Sequence, residues 1–158
     1  VPGHLLVENF VDFSTTVVRR DCLDSVGGFD ETLPMGVDYD LWLRLSANYQ
    51  FDYLEKATAS CRIWSGQMSC NWQLRYECGI RIMHKFLNAN PTLLSKKEIL
   101  HAWAHTYTGR GRHWAIRGAS RKNALADFLR AVRYRPLYLP GWMEIAKLIV
   151  PRGRRATV

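Results

Sequence analysis

Between residues 27 and 45 the chain reads GGFDETLPMGVDYDLWLRL, placing four carboxylates, Asp30, Glu31, Asp38 and Asp40, ahead of an apolar run. Such acids can accept a proton from a hydroxyl. The spacing predicts a helix from about Val37 to Ala47, and at 100° per residue Asp38 shares a face with Leu41, Trp42 and Leu45. Asp40 and Arg44 then fall on the opposite face, four apart, as an ordinary exposed pair. Asp38 is the unusual acid, on the apolar side of the first helical turn. Burial there disfavours a charged carboxylate, and the partial positive charge of the helix N-terminus favours it. A carboxylate kept ionised but partly dry suits a general base. The same residue can equally be a simple helix cap, and spacing leaves both readings open.

His101 and His105 stand four apart on another predicted helix, a spacing at which two imidazoles can hold a metal. Ala102, Trp103 and Ala104 between them supply no acid of the H-E-x-x-H kind, and no third ligand is evident, so packing or surface roles are expected. Gly109-Arg110-Gly111-Arg112 has the glycines and cations of a phosphate loop but no strand before it, and a helix interruption is expected there. Cys22, Cys61, Cys70 and Cys78 show no C-x-x-C spacing and read as free thiols.

These groups need elements to position them. FVDFSTTVV, residues 10 to 18, is rich in β-branched and aromatic residues and reads as a strand. RRDCLDSV should make two helical turns closed by Gly27-Gly28, with a loop from Phe29 to Gly36 before the helix that carries Asp38. Two further strands are expected at Phe51–Leu54 and Thr58–Trp64. Helical spacing returns at Ser69 to Leu87 and stops at Asn88-Ala89-Asn90-Pro91. Ser95-Lys96-Lys97-Glu98 is a capping box opening a helix toward Arg117, and Ser120 caps another that ends before Pro136. A last amphipathic helix should span Gly141 to Ile149. Ala102, Tyr107, Gly109, Ala124, Phe128, Ala131 and Pro136 faintly resemble one tetratricopeptide unit, which alone cannot bury its own face.

With 47% hydrophobic residues the chain can build a core, which excludes wholesale disorder. No apolar run approaches the roughly 20 residues of a membrane span, and no signal-peptide pattern is present. The cytoplasm is the simplest expected compartment. The start at Val1-Pro2-Gly3 reads as an excerpt of a longer protein. The formal charge of +8 suits anionic partners, and most of the excess follows Arg110. Arginines and aromatics interleave in RHWAIRGASRKN, but at helical spacing and without a known signature, so nucleic acid is not expected. Trp142, Ile145, Leu148 and Ile149, with Lys147 and then Arg152, Arg154 and Arg155, could lay the last helix on the inner face of an anionic membrane. A core-packing helix with a basic end is the other reading.

Taken in order, Val26-Gly27-Gly28-Phe29-Asp30-Glu31 and then Asp38-Tyr39-Asp40-Leu41-Trp42-Leu43-Arg44-Leu45 resemble the C-terminal half of the catalytic domain of family 2 glycosyltransferases. Ser14 with Val18-Arg19-Arg20 is similar to the segment before that family's GGFDE loop, and Cys61 to Ser69, CRIWSGQMS, to its Y-R-x-H-x-G-x-x-S region. The resemblance covers roughly residues 8 to 72. It implies an α/β fold, the C-terminal part of a GT-A, Rossmann-like nucleotide-sugar transferase domain, followed by an α-helical region. The expected divisions are 1–67 for the transferase portion, 68–150 for the helical extension and 151–158 for a basic disordered tail.

The resemblance implies inverting transfer from a nucleotide-sugar donor to a hydroxyl of a carbohydrate or lipid-linked acceptor, in cell-surface polysaccharide biosynthesis. Asp38 matches the family's catalytic base. Asp30 and Glu31 would border the acceptor, Arg62 would face the donor diphosphate, and Trp42 would support Asp38 from behind. Two positions depart from the family: Val37 replaces the Glu of its E-D pair, and Trp64 stands where many relatives carry a histidine. An indole has no lone pair to offer a metal. A divalent metal, Mg or Mn, is expected for the complete enzyme, with no ligand from this chain. Asp38-Tyr39-Asp40 has the letters of the D-x-D metal motif, but its acids lie on different helix faces. The chain therefore reads as a fragment without the donor-binding half, inactive alone. The alternative is a degenerate, non-catalytic interaction module.

Overall fold

Local side-chain chemistry, rather than β propensity, decides the conformation of the first aromatic-rich segment. In FVDFSTTVV, Asp12 accepts a hydrogen bond from the Ser14 amide at 3.0 Å, and the Thr16 hydroxyl donates to the Asp12 carbonyl at 2.7 Å. These bonds close a single 3-10 turn, Phe13–Thr15, where a strand was expected. They offer the backbone an alternative to a ladder. The structure, a computed structural model, describes residues 1–64, 66–118 and 120–149. The expected basic tail at 151–158, with Arg152, Arg154 and Arg155, lies outside the described residues.

Every regular element among the described residues is helical, which overturns the expected α/β, GT-A architecture. The segments expected as strands at Phe51–Leu54 and Thr58–Trp64 are irregular, and nearly all of their residues are exposed. β propensity is largely the ability to pack on a pleated, half-buried surface. Without a neighbouring strand it has nothing to act on, and the same residues remain irregular.

The helices α1 (Pro2–Val7), α2 (Arg20–Val26), α3 (Val37–Asn48), α4 (Trp72–Ala89), α5 (Lys96–Ile116), α6 (Arg121–Tyr134) and α7 (Leu139–Ile149) follow one another. The chain divides into two compact units, Val1–Ser95 and Lys96–Val158.

In the first unit α1, α2 and α4 each pack on α3. Gly36, at φ +80°, caps the N-terminus of α3, and a Cβ there would stand 3.1 Å from Cδ1 of Ile82 on α4. Leu5 and Leu6 of α1, Leu41, Trp42, Leu43 and Leu45 of α3, and Ile82, Met83 and Phe86 of α4 are all buried. Asn71 caps α4, its side chain accepting from the Leu74 amide. α3 is covered on almost every side, so even Asp40 and Ser46 are inside.

In the second unit α5, α6 and α7 pack on one another. Ser120 caps α6 by accepting from the Asn123 amide at 3.1 Å, as its position predicts. Ala124, Phe128, Val132 and Ile145 form a core with Trp114, Ala115 and Leu148 against it. α5 runs unbroken through Gly109-Arg110-Gly111-Arg112, where an interruption was expected. Gly111 is there for close approach: a Cβ would run into the ring of Phe128.

Candidate functional site

The residues of the GGFDE loop and the first turns of α3 converge on two cations. Arg44, on α3, donates to the carbonyls of Val26, Gly27 and Gly28 at 2.7, 3.0 and 2.7 Å, and through Nε to Asp40 at 2.9 Å. Its planar fork holds the end of α2 and the start of the loop against α3, a geometry a lysine ammonium cannot reproduce. Lys85, on α4, places its Nζ 2.7 Å from Asp30 and 2.8 Å from Asp40. Burial opposes the charge of Lys85, but its hydrogen bonds to both acids outweigh that and raise its pKa. Asp30 is held well below the usual carboxylate range, first by Lys85 and then by the Thr32 hydroxyl and amide. Arg81 closes the loop from α4, donating to the Thr32 hydroxyl at 3.1 Å.

Asp40 and Arg44 do not form the exposed pair that their spacing predicts. The Asp40 side chain is 3% exposed and meets two cations. A charge so buried is tolerable only when paired and hydrogen-bonded, and removing a partner from such a pair is strongly destabilising. The clamp of Asp30, Lys85, Asp40 and Arg44 was missed because its Lys85 lies on α4, 45 residues after Asp40. The one local signal was the i,i+4 spacing of Asp40 and Arg44.

Asp38 differs from its neighbours. It lies half-buried in the first turn of α3, and the Asn9 side-chain amide donates to its Oδ2 at 3.2 Å. Among the described residues no cation pairs with it, whereas Asp30 and Asp40 share Lys85. A carboxylate held by a neutral amide keeps lone pairs available for an incoming hydroxyl; one locked between ammonium and guanidinium groups does not. Glu31 is exposed on the same loop. Trp42, one turn after Asp38, is buried, with its ring 6.3 Å from that of Phe13, and its indole N–H has no hydrogen-bond partner among the described residues. Arg62 is exposed in the irregular segment before Trp64, and no hydrogen bond or ion pair among the described residues joins it to this cluster.

No three His, Cys, Asp or Glu side chains among the described residues come together as a ligand group, and the acids that do converge, Asp30 and Asp40, already have the Lys85 ammonium between them. His101 is engaged elsewhere, its Nδ1 lying 2.7 Å from the guanidinium of Arg135 and its ring edge-on to Tyr138. None of the four cysteines is in a disulfide; Cys22 and Cys78 are buried, Cys61 and Cys70 exposed.

The second unit has its own buried charge. Asp127 accepts from Arg110 Nε and Nη2 at 2.8 and 2.7 Å, and from Arg130 at 3.2 Å. Both guanidiniums also lie over the ring of Tyr107, which stacks on Tyr134 at 5.7 Å. The glycine-arginine run therefore supplies a helix-to-helix ion pair, not a phosphate loop. No family model matches the chain, and no curated protein or solved structure matches it either.

Proposed function

We propose that the chain takes part in inverting sugar transfer from a nucleotide-sugar to an acceptor hydroxyl, with Asp38 as general base. The observation that supports this most is the contrast among the three aspartates at the mouth of α3. Asp30 and Asp40 are neutralised by cations, whereas among the described residues Asp38 is held by the Asn9 amide and by no cation. Asp38 would take the proton of the acceptor hydroxyl. The oxygen then attacks the anomeric carbon from the face opposite the diphosphate, and the bond to the leaving diphosphate breaks with its electron pair going to the phosphate oxygen. The acceptor itself is a carbohydrate or a lipid-linked hydroxyl. Contact with it falls more to exposed Glu31 than to Asp30, whose two oxygens are engaged by Thr32 and Lys85. Trp42 backs the first turn of α3.

The test is transfer by the full-length protein, followed as release of nucleoside diphosphate from a panel of nucleotide-sugars. Loss of a general base costs roughly 10²–10⁴-fold in turnover. Asp38→Asn should show that loss while its affinity for the nucleotide-sugar changes little. Near-normal turnover by Asp38→Asn removes Asp38 from the mechanism.

A non-catalytic interaction module is the second reading. It is favoured by the clamp itself, which gives Asp30, Asp40 and Arg44 structural work whether or not a reaction occurs. Donor-dependent hydrolysis by the wild-type protein separates the two: its absence across the panel, with and without divalent metal, supports the module.

A further inference from the structure

We infer that α7 and the turn before it form a docking surface for an anionic lipid bilayer, on which α7 lies parallel to the membrane plane. α7 is apolar on both sides. Gly141 and Ile145 face inward and are buried. On the outward side Leu139, Trp142, Met143 and Ile149 are between 49% and 71% exposed, and Leu137, just before the helix, is 93% exposed. A helix apolar all round is normally covered.

Charge identifies the cover. From Lys96 onward the sequence holds fourteen Lys and Arg against three Asp and Glu, and the first 95 residues hold eight against eleven. Two of the three acids of the second unit are already engaged internally: Asp127 with Arg110 and Arg130, and Glu144 with Arg112 and Lys147. A basic unit whose outer face carries Leu137, Leu139, Met143 and Ile149 beside Trp142 suits lipid acyl chains beneath anionic headgroups, with the indole at the headgroup level. Nucleic acid would prefer cations in the place of the exposed Leu137, Leu139, Met143 and Ile149. At about 1.5 Å per residue the helix is roughly 16 Å long, against a hydrocarbon core of about 30 Å, so it lies in the interface and does not cross it. No helix among the described residues is long and apolar enough to cross a membrane. This inference stands independently of the transfer reaction.

The test is co-sedimentation of the full chain with phosphatidylcholine vesicles and with phosphatidylglycerol-rich vesicles. Binding is expected to the anionic vesicles, weaker by several-fold on the neutral ones, and falling as salt rises past about 0.5 M. The triple variant Leu139→Ser, Met143→Ser, Ile149→Ser should bind the anionic vesicles at least about tenfold more weakly. Its circular dichroism should match that of the wild type. Should it unfold, Lys122→Glu with Arg133→Glu decides the matter: both positions are exposed, the apolar face is intact, and binding should again fall. No binding to anionic vesicles at low salt overturns the proposal. So does unchanged binding by the folded triple variant, or by the charge variant when the triple one unfolds. A stable dimer without vesicle binding, abolished by the triple variant, overturns it in favour of a second copy of the chain.

Discussion

Replacing Lys85 with methionine keeps the stem and removes the ammonium that holds Asp30 and Asp40 together. The Asp40 carboxylate is then left with Arg44 alone at 2.9 Å, in a site where its side chain is 3% exposed. Breaking a buried pair outright costs about 3–5 kcal/mol. Two features reduce that here: Arg44 remains, and Lys85 is itself 43% exposed, so water screens part of its interaction. About 2 kcal/mol is the expected loss, and for a unit of this size that corresponds to a fall in melting temperature of roughly 8–16 °C. The assay is a thermal melt of the whole chain followed by calorimetry, with Asp40→Asn and the double variant completing a cycle. The coupling between the two positions should be at least about 1 kcal/mol, because each substitution removes the same contact. A Lys85→Met melt within a degree or two of wild type, or strict additivity in the cycle, would refute the clamp as a stabilising feature.

Three further outcomes follow from the geometry. Gly111→Ala gains about 1 kcal/mol of helix propensity but drives a methyl into Phe128, where overpacking costs about 1–3 kcal/mol; denaturant unfolding should show net destabilisation, relieved by Phe128→Leu. His101 has a lowered pKa, first from burial and then from Arg135, and its neutral Nδ1 accepts from that guanidinium. The unfolded chain therefore binds a proton more readily, so stability is full above the ordinary histidine value of 6.5 and is lost as pH falls below it; melts at descending pH should show this in wild type and less of it in His101→Gln. Arg44→Lys keeps the charge but cannot reach three carbonyls and Asp40 at once, and should lower stability by about 2 kcal/mol in the same melts, while an unchanged melt would remove the fork from the account.

Several helix starts and stops were legible in the residues themselves, though α1 was not. Ser120 before α6, Gly27 after α2 and Asn90-Pro91 after α4 act within one turn of the backbone they cap or end, so a short window contains the whole cause. The apolar rows of α4 and α6 were legible for the same reason, since a helical period repeats locally. The segments at 10–18, 51–54 and 58–64 were misread as strands because a strand needs a neighbour that no window of its own residues can supply. Asp38 could be singled out by position alone, but that no cation among the described residues pairs with it could not.

The sequence by itself determined where α2, α3 and α6 begin and end, which residues could serve as acids and bases, and that the basic excess lies in the second unit, but it did not disclose α1 or the continuity of α5. Only the tertiary structure decided which acids are neutralised. Asp40 reads as exposed on its own helix and is buried because α4 brings Lys85 over it, while Asp38, two residues earlier, meets the Asn9 amide and no cation among the described residues. Charge pairing depends on distance in space, and the cation that separates these two aspartates lies 45 residues along the chain from Asp40.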